Sequence, residues 1–275
     1  MTFEINPKQL VDFHGVSEQE ESKGPYDLHI EEIKRLGYTK LESVLSDKNL
    51  KYYQSAIDDL YEKQVNQSGG KNLAKQIGDA DNIRCPLSID EKFLDLALTP
   101  VVHEVLKRVM GKNYILMMQN GILNRPKRFQ HQTFWHRDLN YQHWVNSQPI
   151  VMNALFCIDD FTLENGGTVV LPGSHLHSKF PSNEFILKNE IGLTAKAGDV
   201  IVMDSMVYHR TGYNQSEMSR RAVNHVIGLP FIHQQLDLPT ILDGKYSDDP
   251  FLSKFLGYRW KPAESVEDWR KARQG

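Results

Sequence analysis

Between residues 114 and 229 the chain consists of short apolar runs that glycine and proline repeatedly interrupt. Residues 114–118, 150–158, 168–171, 193–196, 200–203 and 221–229 carry the runs, and Pro149, Gly166-Gly167, Pro172-Gly173 and Ala197-Gly198-Asp199 break them. Such segments have strand length rather than helix length, and several in succession argue for a β-sandwich or barrel. Ala197-Gly198-Asp199 reads as a hairpin turn between two of these strands.

The first 110 residues follow a different period. Ile30, Ile33 and Leu36 share a helical face, and Gly37 stops that helix. Residues 38–44 read as a strand. Ser46 is an N-cap, after which Leu50, Tyr53, Ile57, Leu60 and Tyr61 recur at helical spacing over 47–63. Residues 64–83 are polar and contain glycine, hence a surface loop or a lid over a pocket. Residues 88–98 are helical. Thr99-Pro100 then caps a further helix with an apolar stripe over 101–109. Residues 231–275 are irregular apart from a helix at 264–273, and Trp260 and Trp269 predict that this tail packs back on the body. The expected organisation is a single domain over 1–275, with a mostly helical part to 112, a β core over 113–230 and a tail from 231. The fold class is mainly β with flanking helices (α+β).

Bulk properties narrow the function. A net charge of −3 over 275 residues argues against nucleic acid or an anionic membrane as a partner. No apolar run approaches the roughly 18 residues of a membrane span, and no signal-peptide pattern follows Met1. Cys85 and Cys157 make no disulfide framework, which fits a reducing, cytoplasmic setting. Monomer and homodimer stay equally open.

Within the β region, Trp135-His136-Arg137-Asp138 places an imidazole and a carboxylate two apart, on one face of a strand. His209, 71 positions after Asp138, follows the run 200–203 and is expected at the far end of that strand. Two imidazoles and a carboxylate occupy one face of an octahedron and leave the other open, which suits a non-haem Fe(II) oxygenase. The same residues also admit a plain reading as a buried hydrogen-bonded cluster. Arg220 and Arg221 point to opposite faces of their strand, so one can hold a carboxylate while the other pairs on the sheet surface. Thr211 offers a hydroxyl nearby. Arg137, Asn140, Tyr141 and Trp144 are candidate substrate contacts, with Trp144 equally readable as a core ring. His175 reads as a turn residue, and the basic run 125–128 as a solvated loop or an anion contact.

Taken in order, these motifs resemble a known family. His136-Arg137-Asp138, Cys157-Ile158-Asp159-Asp160, Glu164-Asn165-Gly166-Gly167-Thr168, Pro172-Gly173-Ser174-His175, Gly198-Asp199, the stretch 209–216 beginning His209-Arg210-Thr211-Gly212, and Arg220-Arg221 are similar to the phytanoyl-CoA dioxygenase family over about 25–230. The resemblance implies a double-stranded β-helix (a cupin-like jelly roll), Fe(II), and 2-oxoglutarate and O2 as cosubstrates. It implies His136, Asp138 and His209 as catalytic iron ligands. Arg220 and Thr211 would hold the distal carboxylate of 2-oxoglutarate. Asn124 and Gln119 are the further cosubstrate contacts, with Asn120 an alternative to Gln119. Halogenases among the relatives replace the carboxylate ligand with a small residue, and Asp138 is retained here, which favours hydroxylation.

The activity expected is hydroxylation of an unactivated C–H in a small, polar metabolite, with release of succinate and CO2. Two rivals stand beside it: a jelly-roll metalloenzyme that does not use 2-oxoglutarate, and a non-catalytic metabolite-binding jelly roll.

Overall fold

The computed structural model describes residues 14–21, 23–67, 69–139, 144–271, 273 and 274. Its strands are β1 (Tyr38–Leu41), β2 (Asn82–Arg84), β3 (Ile115–Asn124), β4 (Val151–Cys157), β5 (Thr168–Val170), β6 (Ile191–Gly192), β7 (Val200–Asp204), β8 (His209–Thr211) and β9 (Arg220–Gly228). A larger sheet runs β1-β7-β4-β9-β3-β2 and a smaller one β6-β5-β8, antiparallel throughout.

Strand alternation gives the larger sheet two distinct faces. In β4, Met152, Ala154 and Phe156 join the core against the helices, while Leu155 and Cys157 turn to an inner cluster with Phe161, Ile201, Met203 and Ala222. In β9, Val223 and Ile227 face the helices and Ala222 faces inward. The helices packed on the outer face are α1 (Asp27–Leu36), α2 (Asp47–Gln67), α4 (Lys92–Ala97) and α5 (Pro100–Met110), with α3 (Gly70–Gln76) lying against α2. Later in the chain come α6 (Asn183–Asn189), α7 (Leu238–Ile241), α8 (Pro250–Phe255) and α9 (Val266–Lys271). Among the described residues, no helix is long and apolar enough to cross a membrane.

Gly37 joins α1 to β1. Its φ is +87°, and its N–H donates to the carbonyls of Glu32 and Ile33. A Cβ there would lie 2.3 Å from Val207 Cγ2 and 2.5 Å from His175 Nδ1, so conformation and space both demand glycine.

Several local expectations need correction. Residues 193–196 do not pair with β7; Ala195 bridges Phe161 instead. The turn at 197–199 carries the chain from the smaller sheet to the larger, with the Asp199 carboxylate accepting from the N–H groups of Ser43 and Lys196. Residues 64–83 are no open loop: α2 runs on because Val65 extends its buried stripe, and α3 and β2 follow. The Thr99 side chain does not cap α5; its hydroxyl donates back to Leu96 O at 2.8 Å. In the tail, Leu238, Leu242, Phe255 and Leu256 do the packing, while Trp260 and Trp269 are 42% and 50% exposed.

Candidate active site

His136 and His209 face each other as one antiparallel bridge. His136 N–H donates to His209 O at 3.0 Å, and His209 N–H donates to His136 O at 3.1 Å. Their rings lie 4.4 Å apart between centroids. His209 opens β8 in the smaller sheet, beyond a turn that follows β7, so the strand expected to deliver it ends sooner. Asp138 sits in a bend rather than on a strand, anchored by its N–H to Ser205 O at 3.1 Å.

The three side chains nevertheless converge. Asp138 Oδ1 is 3.7 Å from His136 Nε2, and Oδ2 is 3.8 Å from His209 Nε2. One ligand atom from each lies within 4.8 Å of the others. Each imidazole uses Nδ1–H to donate to the carbonyl two residues earlier, Phe134 O at 2.8 Å and Val207 O at 3.0 Å. A carbonyl only accepts, so both Nε2 lone pairs are left for a metal. Burial, reinforced by the second imidazole, holds the His136 ring below the usual histidine range despite the carboxylate beside it. Asn153, buried in β4, donates its amide to Asp138 Oδ2.

A cleft of about 410 Å³, its open mouth included, lies over these groups. Polar residues line much of it, among them Gln132, Thr168, Arg210, Thr211 and Asn224; Ile122, Leu155 and Met203 supply apolar wall. Thr211 and Thr168 are opposed in the pairing of β8 with β5. Arg220 is not part of this wall; it is buried with its guanidinium 3.9 Å from the ring of Phe161, which packs with the wall residues Ile122, Leu155 and Met203. Its Nε has no acceptor among the described residues, and burial pulls its pKa down to about 10.

Other predicted contacts lie elsewhere. Gln119 points into the helix layer, where it accepts from Leu87 N–H and donates to Phe93 O, both at 2.8 Å. Asn120 and Asn124 alternate to the inner face. Asn124 spends its amide on Gly166 O and Gly212 O, each at 3.1 Å, and so clamps two turns. Arg137 is buried away from the cleft, donating to Met206 O at 2.7 Å and Ser174 O at 2.8 Å, with its guanidinium 3.9 Å from the Tyr208 ring. Trp144 is 46% exposed and outside the cleft wall. Asn140 and Tyr141 lie outside the described residues. His175 is a buried turn residue bonded to Lys34 O. The basic run is taken up by Asp81 and Glu217. Asn153 and Asn224 belong to none of the sequence motifs; a lone asparagine inside an apolar strand is the one signal that marks them, since strands disfavour it.

A family model for phytanoyl-CoA dioxygenase matches residues 33–222, more than half of the chain and inclusive of every metal-site residue above. The chain belongs to the phytanoyl-CoA dioxygenase family. Among its relatives, an uncharacterized protein of Mycobacterium tuberculosis is 29% identical over 74% of this chain and 75% of its own length. Dioxygenase andF of Emericella variicolor is 26% identical over 89% of this chain and 94% of its own. The double-stranded β-helix is shared with solved structures. The α-ketoglutarate-dependent epimerase SnoN matches with a TM-score of 0.58 at 16% identity, covering 74% of this chain and 80% of that one. The carbocyclase SnoK matches at 0.58 and 18%, covering 76% and 85%. As a member of the family this protein is an iron- and 2-oxoglutarate-dependent oxygenase, and its residues fit that cofactor set. Two Nε2 atoms and a carboxylate form an open facial site. A buried guanidinium with an unused donor is what a distal carboxylate requires.

Proposed function

We propose that this oxygenase hydroxylates an unactivated C–H bond of a small, polar metabolite and releases succinate and CO2. The observation that carries the reading is the complete triad with Asp138 in place and held by Asn153, so that no ligand position is surrendered to a halide. The polar character of the cleft wall supports a polar substrate.

Bound Fe(II), with 2-oxoglutarate and O2, supplies an oxidant able to break such a bond. The chain's own residues do the rest. His136 and His209 turn Nε2 toward the metal position because Nδ1 of each ring is already engaged by a backbone carbonyl. Arg220 holds the distal carboxylate of 2-oxoglutarate, with Thr211 adding its hydroxyl. Ile122, Leu155 and Met203 keep part of the wall dry.

The test is succinate release by protein loaded with Fe(II) without oxygen, then given 2-oxoglutarate and air, across a panel of small polar metabolites. A compound that accelerates release and gains one oxygen atom supports hydroxylation. A product without the extra oxygen points to epimerisation, desaturation or ring closure. Turnover independent of 2-oxoglutarate, or no succinate from iron-loaded protein, sinks the reading.

A further inference from the structure

The inner face of the larger sheet carries asparagine on three neighbouring strands. Asn120 in β3 is directly opposite Asn224 in β9, and Asn224 is opposite Leu155, two residues along β4 from Asn153. Asparagine is a poor strand residue, and a buried amide costs free energy unless it is bonded. Asn153 is 1% exposed and Asn120 5%.

The orientation of each amide follows from its neighbours. A carboxylate only accepts, so Asn153 must turn Nδ2 to Asp138 and Oδ1 away from it. Asn224 therefore presents Nδ2 to Asn153 Oδ1, at 3.5 Å. At the other end, a guanidinium only donates, and Arg84 Nη1 donates to Asn120 Oδ1 at 3.0 Å. Asn120 thus points its own Nδ2 away from Arg84. Asn224 and Asn153 thus share one polarity, each with its donor aimed toward Asp138, while Asn120 faces Asn224 across the strands without a bond to it. Asn224 Oδ1 is buried and has no partner among the described residues, leaving one open acceptor in the row.

We infer that Asn153 and Asn224 form a one-way hydrogen-bond line that positions Asp138 as a metal ligand. The inference rests on the iron site proposed above. The two imidazoles are fixed through the backbone bridge and their Nδ1–H bonds, whereas Asp138 stands in a bend and its carboxylate is oriented by Asn153. With one oxygen engaged by the amide, the other is left to the metal. Asn153 and Asn224 are positioning residues that act through Asp138.

The direction of the line makes a distinctive test possible. In Asn224→Asp the new carboxylate only accepts, so it draws the Asn153 amide away from Asp138 and sets Oδ1 against the ligand. Asn224→Leu merely removes one donor. We expect Asn224→Asp to weaken Fe(II) and Co(II) binding about 10–100-fold, in the range of other outer-shell changes, and to alter the visible absorption of the Co(II) form. Asn224→Leu should weaken binding less. In an Asn153→Ala background, Asn224→Asp should add no further loss, because the line is already cut. Titrations without oxygen or 2-oxoglutarate, on variants whose metal-free melting matches wild type, read this directly. Should either aspartate variant not fold, Asn153→Ser against wild type carries the same comparison. Binding by Asn224→Asp as tight as by Asn224→Leu, or unchanged binding by Asn153→Ser, overturns the inference. A wild type that binds neither metal overturns the iron site itself.

Discussion

Arg220 and Arg221 are adjacent in β9 and serve opposite faces of one sheet. Arg221 pairs with Asp58 at 2.6 Å and Asp159 at 3.0 Å on the helix side. Arg220 is fully buried on the inner side with an unpartnered Nε. Arg220→Gln should therefore raise the KM for 2-oxoglutarate about tenfold or more, the worth of a buried charge-assisted bond. Arg221→Gln should leave that KM unchanged and cost about 1 kcal/mol of stability. Cosubstrate titration and thermal melting separate the two, and equal KM values in both variants would contradict the assignment.

Metal binding should be visible as stability. At about 100 times its Kd, a ligand that binds only the folded state stabilises by about 2.7 kcal/mol. Wild-type protein should melt higher with Fe(II) in the absence of oxygen, and a chelator should remove the gain. His209→Ala and Asp138→Ala should lose both the gain and turnover. A full gain in either variant would move the metal elsewhere.

Arg137 stands between two metal ligands in sequence yet works on the backbone of two loops. Arg137→Met leaves Met206 O and Ser174 O without their donor. A loss of about 2–4 kcal/mol in urea unfolding is expected, since each abandoned buried acceptor costs about 1–3 kcal/mol. Wild-type stability in this variant would mean that the carbonyls find other donors.

Asp204 gives the protein a pH dependence of opposite sign to the usual carboxylate. Burial, opposed by the Met206 N–H and by Arg137, raises its pKa to about 6. Between the ordinary aspartate value and about 6, the folded state holds a proton that the unfolded state has lost. Stability from this group is complete below that window and falls as pH rises through it. Asp204→Asn keeps an acceptor for Met206 N–H and should flatten the profile. It should gain up to about 3 kcal/mol at neutral pH, because a raised carboxyl pKa costs about 1.4 kcal/mol for each pH unit the window spans. Denaturant melts at about pH 4, 5, 6 and 7 check the slope across that window.

The sequence made the strands, the helices and the triad legible because each has a short-range signature. Short apolar runs marked β4 and β9, helical spacing marked α2, and the H-x-D triplet with a distant histidine marked the ligands. Which sheet a strand joins depends on long-range pairing, so the turn at 197–199 reads like a hairpin although it crosses between sheets. Gln119 and Asn120 look equivalent as letters, and only strand phase sends the first to the helices. Arg137 shows the same limit. Its neighbours in sequence face the metal, while Ser174, Met206 and Tyr208 draw it the other way.

The His136–His209 bridge divides the metal centre into a fixed part and a replaceable part. Two ligands sit on residues that a backbone bridge holds in register, so their positions are set by the chain itself. The third projects from a bend and is held by a side chain. A lineage built on this scaffold is thus free to exchange its anionic ligand, and with it the chemistry, while inheriting the imidazole pair intact.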